Sequence, residues 1–158
     1  MSIKATSAAQ GDQRVAMRAP WHLWLVGGVS AVFNAIGAFD YVMTRRHEAA
    51  YFELLDYDPA QRAYFAHYPV LPAVLWAVGV FGAVVASVLL LLRRRATVRV
   101  AVVAVFAQAG LDLITFGFMD RLIVFGVRQS VFDVLVPLGL AAVLAWYAVV
   151  MSRRGVLR

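Results

Sequence analysis

The chain has 158 residues, 63% of them hydrophobic and 15% charged, with a formal net charge of +6; a soluble domain carries roughly 45–50% apolar and about 25% charged residues. That composition excludes a water-soluble globule and points to an integral membrane protein. The lack of cysteine excludes a disulfide framework, a cysteine-ligated metal or iron–sulfur site and thiol chemistry.

Residues 1–20 read as a polar, sparsely charged N-terminal tail. The first apolar block, 21–43, is longer than the hydrophobic region of a cleaved signal peptide and keeps Asn34 and Asp40 near its end, so it reads as an uncleaved first span. Residues 44–69 form the one long loop, in which Tyr51, Phe52, Leu54, Leu55, Tyr64 and Phe65 alternate with charges around the Asp58-Pro59 break. This pattern predicts one or two short amphipathic helices lying on the outer leaflet. Blocks 70–92 and 97–119 follow, separated only by an arginine-rich hinge, and predict a tight antiparallel hairpin. A fourth block, 131–151, carries Pro137, expected to kink it, and residues 152–158 form a basic tail. Each block is near the ~20 residues that cross ~30 Å of hydrocarbon at ~1.5 Å per residue. No block alternates in the dyad pattern of a barrel strand, so the predicted fold is an all-α antiparallel bundle of four transmembrane helices with an amphipathic outer loop.

Lys4, Arg14, Arg18, Arg93, Arg94, Arg95, Arg99, Arg153, Arg154 and Arg158 fall on one side of this arrangement; Arg45, Arg46, Arg62, Arg121 and Arg128 fall on the other. The positive-inside rule then puts both termini in the cytoplasm. Acids reinforce the asymmetry, because only Asp12 lies with the ten inner cations. Trp21, Trp24, Trp146 and Tyr147 at inner ends, and Tyr41, Tyr64 and Tyr68 at outer ends, fit two interfacial belts. Arginine runs at the ends of apolar blocks are topology signals, so no nucleic-acid partner is expected.

Small residues form ridges suited to close helix approach: Gly27, Ala31 and Ala35 in the first span, and Gly79, Ala83 and Ser87 beside Gly82 and Ala86 in the second. Asn34 and Gln108 fall near the middle of spans one and three, at a common depth, and are expected to hydrogen-bond to each other. In span three, Gln108, Asp112 and Thr115 share one helix face. A carboxylate there costs roughly 2.5–3.5 kcal/mol on insertion scales, so Asp112 is either a functional acid of the transporter kind or an acid satisfied by Gln108, Thr115 or a loop arginine. Asp40, Asp120 and Asp133 sit near outer span ends, as interfacial partners of Arg45, Arg121 and Arg128 or, with Asp112, as the lining of an outward acidic cavity. His22, His47 and His67 are scattered without metal-ligand spacing, and no catalytic motif occurs, so neither metal, cofactor nor enzymatic activity is expected.

One stretch carries a more specific pattern: Phe33-Asn34-x-x-Gly37-Ala38-x-Asp40-Tyr41-x-Met43-Thr44, then Glu48-Ala49-x-Tyr51, Tyr64-Phe65 before Pro69, Trp76-Ala77-x-Gly79-Val80-Phe81-Gly82-Ala83, and Leu89 to Arg95. It resembles a family of small, uncharacterised four-helix bacterial membrane proteins, some of which bear the name sugar transporter. The resemblance implies a bacterial inner-membrane location and singles out Asn34, Gly37, Asp40, Tyr41 and Thr44; it implies no substrate. Asp112 is not part of that pattern; Val70-Leu71-Pro72 stands where the family has a tryptophan, and Ala96 where it has an aromatic residue or histidine. The expected function is a non-enzymatic packing or accessory module in the bilayer, associating with itself or a larger membrane protein. The alternative is an oligomeric transporter or channel for a small solute or cation.

Overall fold

The computed structural model describes residues 19–158, so all but the last two residues of the N-terminal tail, with Lys4, Asp12, Arg14 and Arg18, lie outside the described residues. Six helices follow one another: α1 (Trp21–Arg45), α2 (Ala49–Leu54), α3 (Pro59–Ala66), α4 (Val70–Leu91), α5 (Ala96–Phe118) and α6 (Arg121–Arg153), with no strand among the described residues. α1, α4, α5 and α6 are long and apolar enough to cross a membrane.

Local chemistry sets the boundaries. Pro20 and Pro69, both in extended backbone, precede α1 and α4 and cannot continue a helix backward. Asp58 opens α3 with a capping box: its carboxylate accepts from Gln61 N at 2.9 Å, and Gln61 Oε1 accepts from Asp58 N at 3.0 Å. His47, Asp56 and Arg93 take positive φ in the tight connections.

The long helices pack in the order α1, α4, α5, α6, and α4 is the centre of the first three. The pairs run antiparallel, as the contacts show. Along α1 and α4, Gly27 meets Leu90 and Leu91, Asn34 meets Ala83 and Ser87, Gly37 meets Val80, and Tyr41 meets Trp76. Along α4 and α5, Gly82 faces Ala104, Gly79 faces Gln108 and Leu75 faces Gly110. The predicted hairpin of spans two and three is therefore the closest helix pair. α1 touches α6 chiefly at one end, where His22 Nδ1 and Tyr147 Oη lie 2.5 Å apart.

Two clusters close the ends. At the arginine-rich end, Leu23, Leu90, Leu144 and Met151 enclose Val156 and Leu157. The segment after α6 is tied down by Arg95 N donating to Arg158 O at 2.9 Å and Arg158 N donating to Arg93 O at 2.6 Å. At the opposite end, α2 and α3 turn Phe52 and Phe65, each 5% exposed, onto Tyr68, Ala73, Leu111 and Phe125.

Four expectations need correction. The loop forms two short helices, but their aromatic face covers the end of the bundle; of the loop's large apolar side chains, Leu54 and Leu55 are left exposed. The fourth helix begins at Arg121, ten residues before the predicted 131, and its break comes at Gly126 (φ 71°, ψ 164°) while Pro137 stays within helical backbone. Such a φ is open to glycine at no steric cost. Ala35 is exposed, because the α1 stripe facing α4 runs through Gly27, Asn34, Gly37 and Tyr41 and misses it. Gly79 and Gly82 face α5, whereas Ala83 and Ser87 face α1, so the single ridge read on span two serves two neighbours.

A Cβ at Gly79 would stand 3.3 Å from Gln108 Oε1 and 3.7 Å from Gln108 N, leaving no room for a branched side chain. Gly79→Leu is expected to destabilise the protein by about 1–3 kcal/mol through overpacking. Gly28, with nothing within 4 Å of its Cβ position, should accept Leu without loss. Thermal unfolding in detergent, followed by circular dichroism, compares the two.

Candidate functional site

Most of the polar residues singled out in the sequence gather at the aromatic-capped end, on four elements. α1 supplies Asp40, Tyr41 and Thr44, the α2–α3 cap supplies its tyrosines, α5 supplies Gln108, Asp112 and Thr115, and α6 supplies Arg121, Gln129 and Asp133. Arg121 is the hub. Its Nη2 donates to Asp133 Oδ2 at 2.6 Å, with the two side chains 15% and 31% exposed, and its guanidinium lies 4.9 Å from the Phe125 ring centroid. Asp40 and Asp112 lie within its electrostatic reach, as do Tyr57, Tyr64 and Tyr68.

The ion pair depends on the break in α6. In a continuous helix, residues twelve apart would be separated by ~18 Å along the axis. The left-handed φ at Gly126 folds the 121–125 turn back, so that Arg121 meets Asp133 and the Arg121 carbonyl accepts from Ser130 Oγ at 3.4 Å. The same fold-back puts Phe125 beneath the cap, edge-on to Tyr57, Tyr64 and Phe65. Above it Phe52, Tyr57 and Phe65 stack with interplanar angles of 14–28°, and Arg62 Nε secures the turn by donating to Tyr57 O at 2.9 Å.

Asp40 joins α1 to the cap: Tyr51 Oη donates to its Oδ1 at 2.7 Å. Tyr41 packs edge-on against Trp76 and Phe81 of α4, and Thr44 is buried one turn beyond Asp40. On α5, Gln108 Nε2 donates to Asp112 Oδ1 at 3.0 Å. Thr115 is turned back on its own helix, donating to Leu111 O at 2.9 Å and to Asp112 O at 3.3 Å, and so does not serve the Asp112 carboxylate. Asp112 Oδ2 and Tyr64 Oη are buried without a hydrogen-bond partner.

Asp133 alone pairs with Arg121, whose charge Asp40 and Asp112 feel from farther off, and Asp120 stays outside, exposed at the start of α6 in left-handed backbone. Each of the other three acids is engaged by a neighbouring side chain, Asp133 by Arg121, Asp40 by Tyr51 and Asp112 by Gln108. The hollow at this end of the molecule lies on the outer side of α6, between Phe125, Arg128, Gln129, Phe132, Leu135 and Val136. Among the described residues no group of three His, Asp or Glu side chains is placed to hold a metal ion. Sequence reading missed Arg121 and Gly126 as the organisers, because a glycine near the start of an apolar run does not by itself announce a backbone reversal.

The expected bond between Asn34 and Gln108 is absent. α4 stands between their helices, and Asn34 Nδ2 donates instead to Ser87 Oγ at 3.1 Å and to Ala83 O at 3.3 Å, while Ser87 Oγ donates to Ala83 O at 2.8 Å. Common depth brought the two amides level, but helix order separates them.

Comparison of the chain with protein-family models, curated proteins and solved structures returns no match.

Asn34→Leu should cost roughly 0.6 kcal/mol, the typical worth of an interhelical hydrogen bond in a membrane protein, and a double-mutant cycle should couple Asn34 to Ser87 and not to Gln108; coupling to Gln108 would reject this helix order. The cap tyrosines give a pH dependence. Burial, then the charges of Asp40 and Asp133, push the Tyr57 hydroxyl up to about 12. Burial also raises Tyr64, Tyr68 and Tyr51, the last with the Asp40 hydrogen bond adding to it. A group raised on folding contributes stability that is whole below its unfolded value of ~10 and is lost as pH rises through the folded value. Tyrosinate absorbance should therefore lag above pH 10, and the cap should loosen as pH approaches about 12. Tyr57→Phe should remove one late-titrating group and leave the cap seated at neutral pH.

Proposed function

We propose that the protein is a multi-pass protein of the bacterial inner membrane, with both termini cytoplasmic, that acts as a non-enzymatic packing or accessory module. Four helices of spanning length and the arginine excess at one end support the membrane reading. The resemblance of the Asn34 to Thr44 motif to small four-helix bacterial membrane proteins is part of the same proposal.

One observation carries the choice of a module over a conduit. The polar side chains at bilayer depth are engaged in pairs by the protein's own groups: Asn34 with Ser87, Gln108 with Asp112, Thr115 with backbone, Arg121 with Asp133 and Asp40 with Tyr51. Conduits need polar groups turned toward a path, whereas these turn toward each other. The exposed face of α1, with Leu25, Val29, Val32, Ile36 and Phe39, offers apolar surface to lipid, a second copy or a larger partner. A transporter remains the second reading because Asp112 Oδ2 is buried without a partner close to Arg121.

Reporter fusions at Arg94 and Asp56 are expected to report cytoplasmic and external positions respectively; the reverse result rejects the orientation. Vesicles reconstituted with the protein should show no protein-dependent flux of cations or small sugars, and Asp112→Asn should fold normally. Flux that Asp112→Asn abolishes would overturn the module reading in favour of the transporter.

A further inference from the structure

Beside the break at Gly126, α6 carries a laterally open hollow of about 720 Å³, within the range of sites that hold a ligand of some tens of atoms. Its composition is graded along the helix. Arg128 and Gln129 stand at the end nearer the cap, and Phe132, Leu135 and Val136 continue away from it, with Phe125 across the break as one wall. Phe132 and Leu135 are exposed although aromatic and aliphatic. Arg128 is exposed and forms no ion pair or hydrogen bond with any described residue.

Depth agrees with this gradient. The unbroken part of α6, 127–153, is about 40 Å long at ~1.5 Å per residue, some 10 Å more than ~30 Å of hydrocarbon requires. Arg128, in the first turn of that run, then falls at the headgroup level, and Leu135 falls about 10 Å deeper, among acyl chains. The charge is also one-sided. Asp133, one turn beyond Gln129, is held by Arg121 at 2.6 Å, so no free carboxylate stands within the hollow to meet the ammonium of a zwitterionic headgroup.

We propose that this hollow binds one anionic phospholipid, its phosphate on the Arg128 guanidinium and an acyl chain along Phe132, Leu135 and Val136. The proposal rests on the reading that the chain spans a membrane. Arginine suits the phosphate because its fork of donors matches the phosphate oxygens. The acyl contacts gain little relative to bulk lipid. Preference among lipids therefore comes from Arg128, and occupancy from the shape of the hollow.

Native mass spectrometry of the full-length protein in mild detergent, titrated with phosphatidylglycerol or with phosphatidylcholine of the same chains, tests this. One phosphatidylglycerol per chain should be retained, in at least tenfold preference over phosphatidylcholine. Arg128→Gln should erase the preference, Leu135→Trp should fill the hollow and lower retention of both lipids, and Arg46→Gln, an exposed arginine of another loop, should change neither. Equal retention of both lipids by the wild type, survival of the preference in Arg128→Gln, undiminished retention in Leu135→Trp, an equal loss in Arg46→Gln, or displacement of the lipid by millimolar inorganic phosphate would each overturn the site. Carbonate extraction separates the two levels of the argument. A chain stripped from membranes by carbonate defeats the membrane reading, while a chain that resists it and shows no lipid preference defeats only the lipid site.

Discussion

An ion pair across a broken helix organises the capped half of this protein. Asp133 sits in an otherwise apolar run, where a lone carboxylate is costly, and Arg121 offsets that cost only because the backbone reverses at Gly126. Much follows from that reversal. Phe125 is delivered under the α2–α3 cap, where three stacked rings and three edge contacts need it. The guanidinium is left within reach of Asp40 and Asp112. A β-carbon at position 126 would have open space around it but the wrong φ, so the constraint there is conformational and not steric.

The other half depends on closeness and not on charge. α4 has glycine toward α5 and alanine and serine toward α1, which lets two backbones approach it from different sides. In lipid, apolar side chains gain little by leaving one hydrocarbon for another, so close packing and a few hydrogen bonds must hold such helices. The arginine-rich end is sealed differently, by Val156 and Leu157 packing among residues of all four long helices under backbone bonds to Arg93 and Arg95. Those bonds satisfy carbonyls and amides just past two helix ends, where partners inside the helices run out.

What the sequence made legible is what depends on neighbours along the chain. Four spans, the short hinge before α5 and the broken loop at Asp58-Pro59 all follow from hydropathy, length and turn chemistry. The Gln108–Asp112 bond was readable for the same reason, because four residues make one helical turn. Partnerships between helices were not readable. Depth in a bilayer can be counted from a sequence, but neighbour order and rotation cannot, which is why depth alone pairs Asn34 with Gln108 while Ser87 holds it. Arg121 and Asp133 were each seen as interfacial charges, yet their meeting required the positive φ at Gly126, and a glycine in an apolar run carries no such label.

The position of α1 shows how a peripheral helix is held when apolar contact alone does not select a face. It makes polar contacts at three levels, each with a different element: His22 with Tyr147 on α6, Asn34 with Ser87 on α4, and Asp40 with Tyr51 on the cap. Any one such bond is worth little in lipid. Three at separated levels fix what one cannot, because a rotation or a shift of α1 along its axis would break all of them together. The face opposite these contacts, from Leu25 to Phe39, is thereby held outward in one orientation. α1 is thus the helix with the least burial and the best-defined outward surface, and any association of this protein through α1 begins from that presented face.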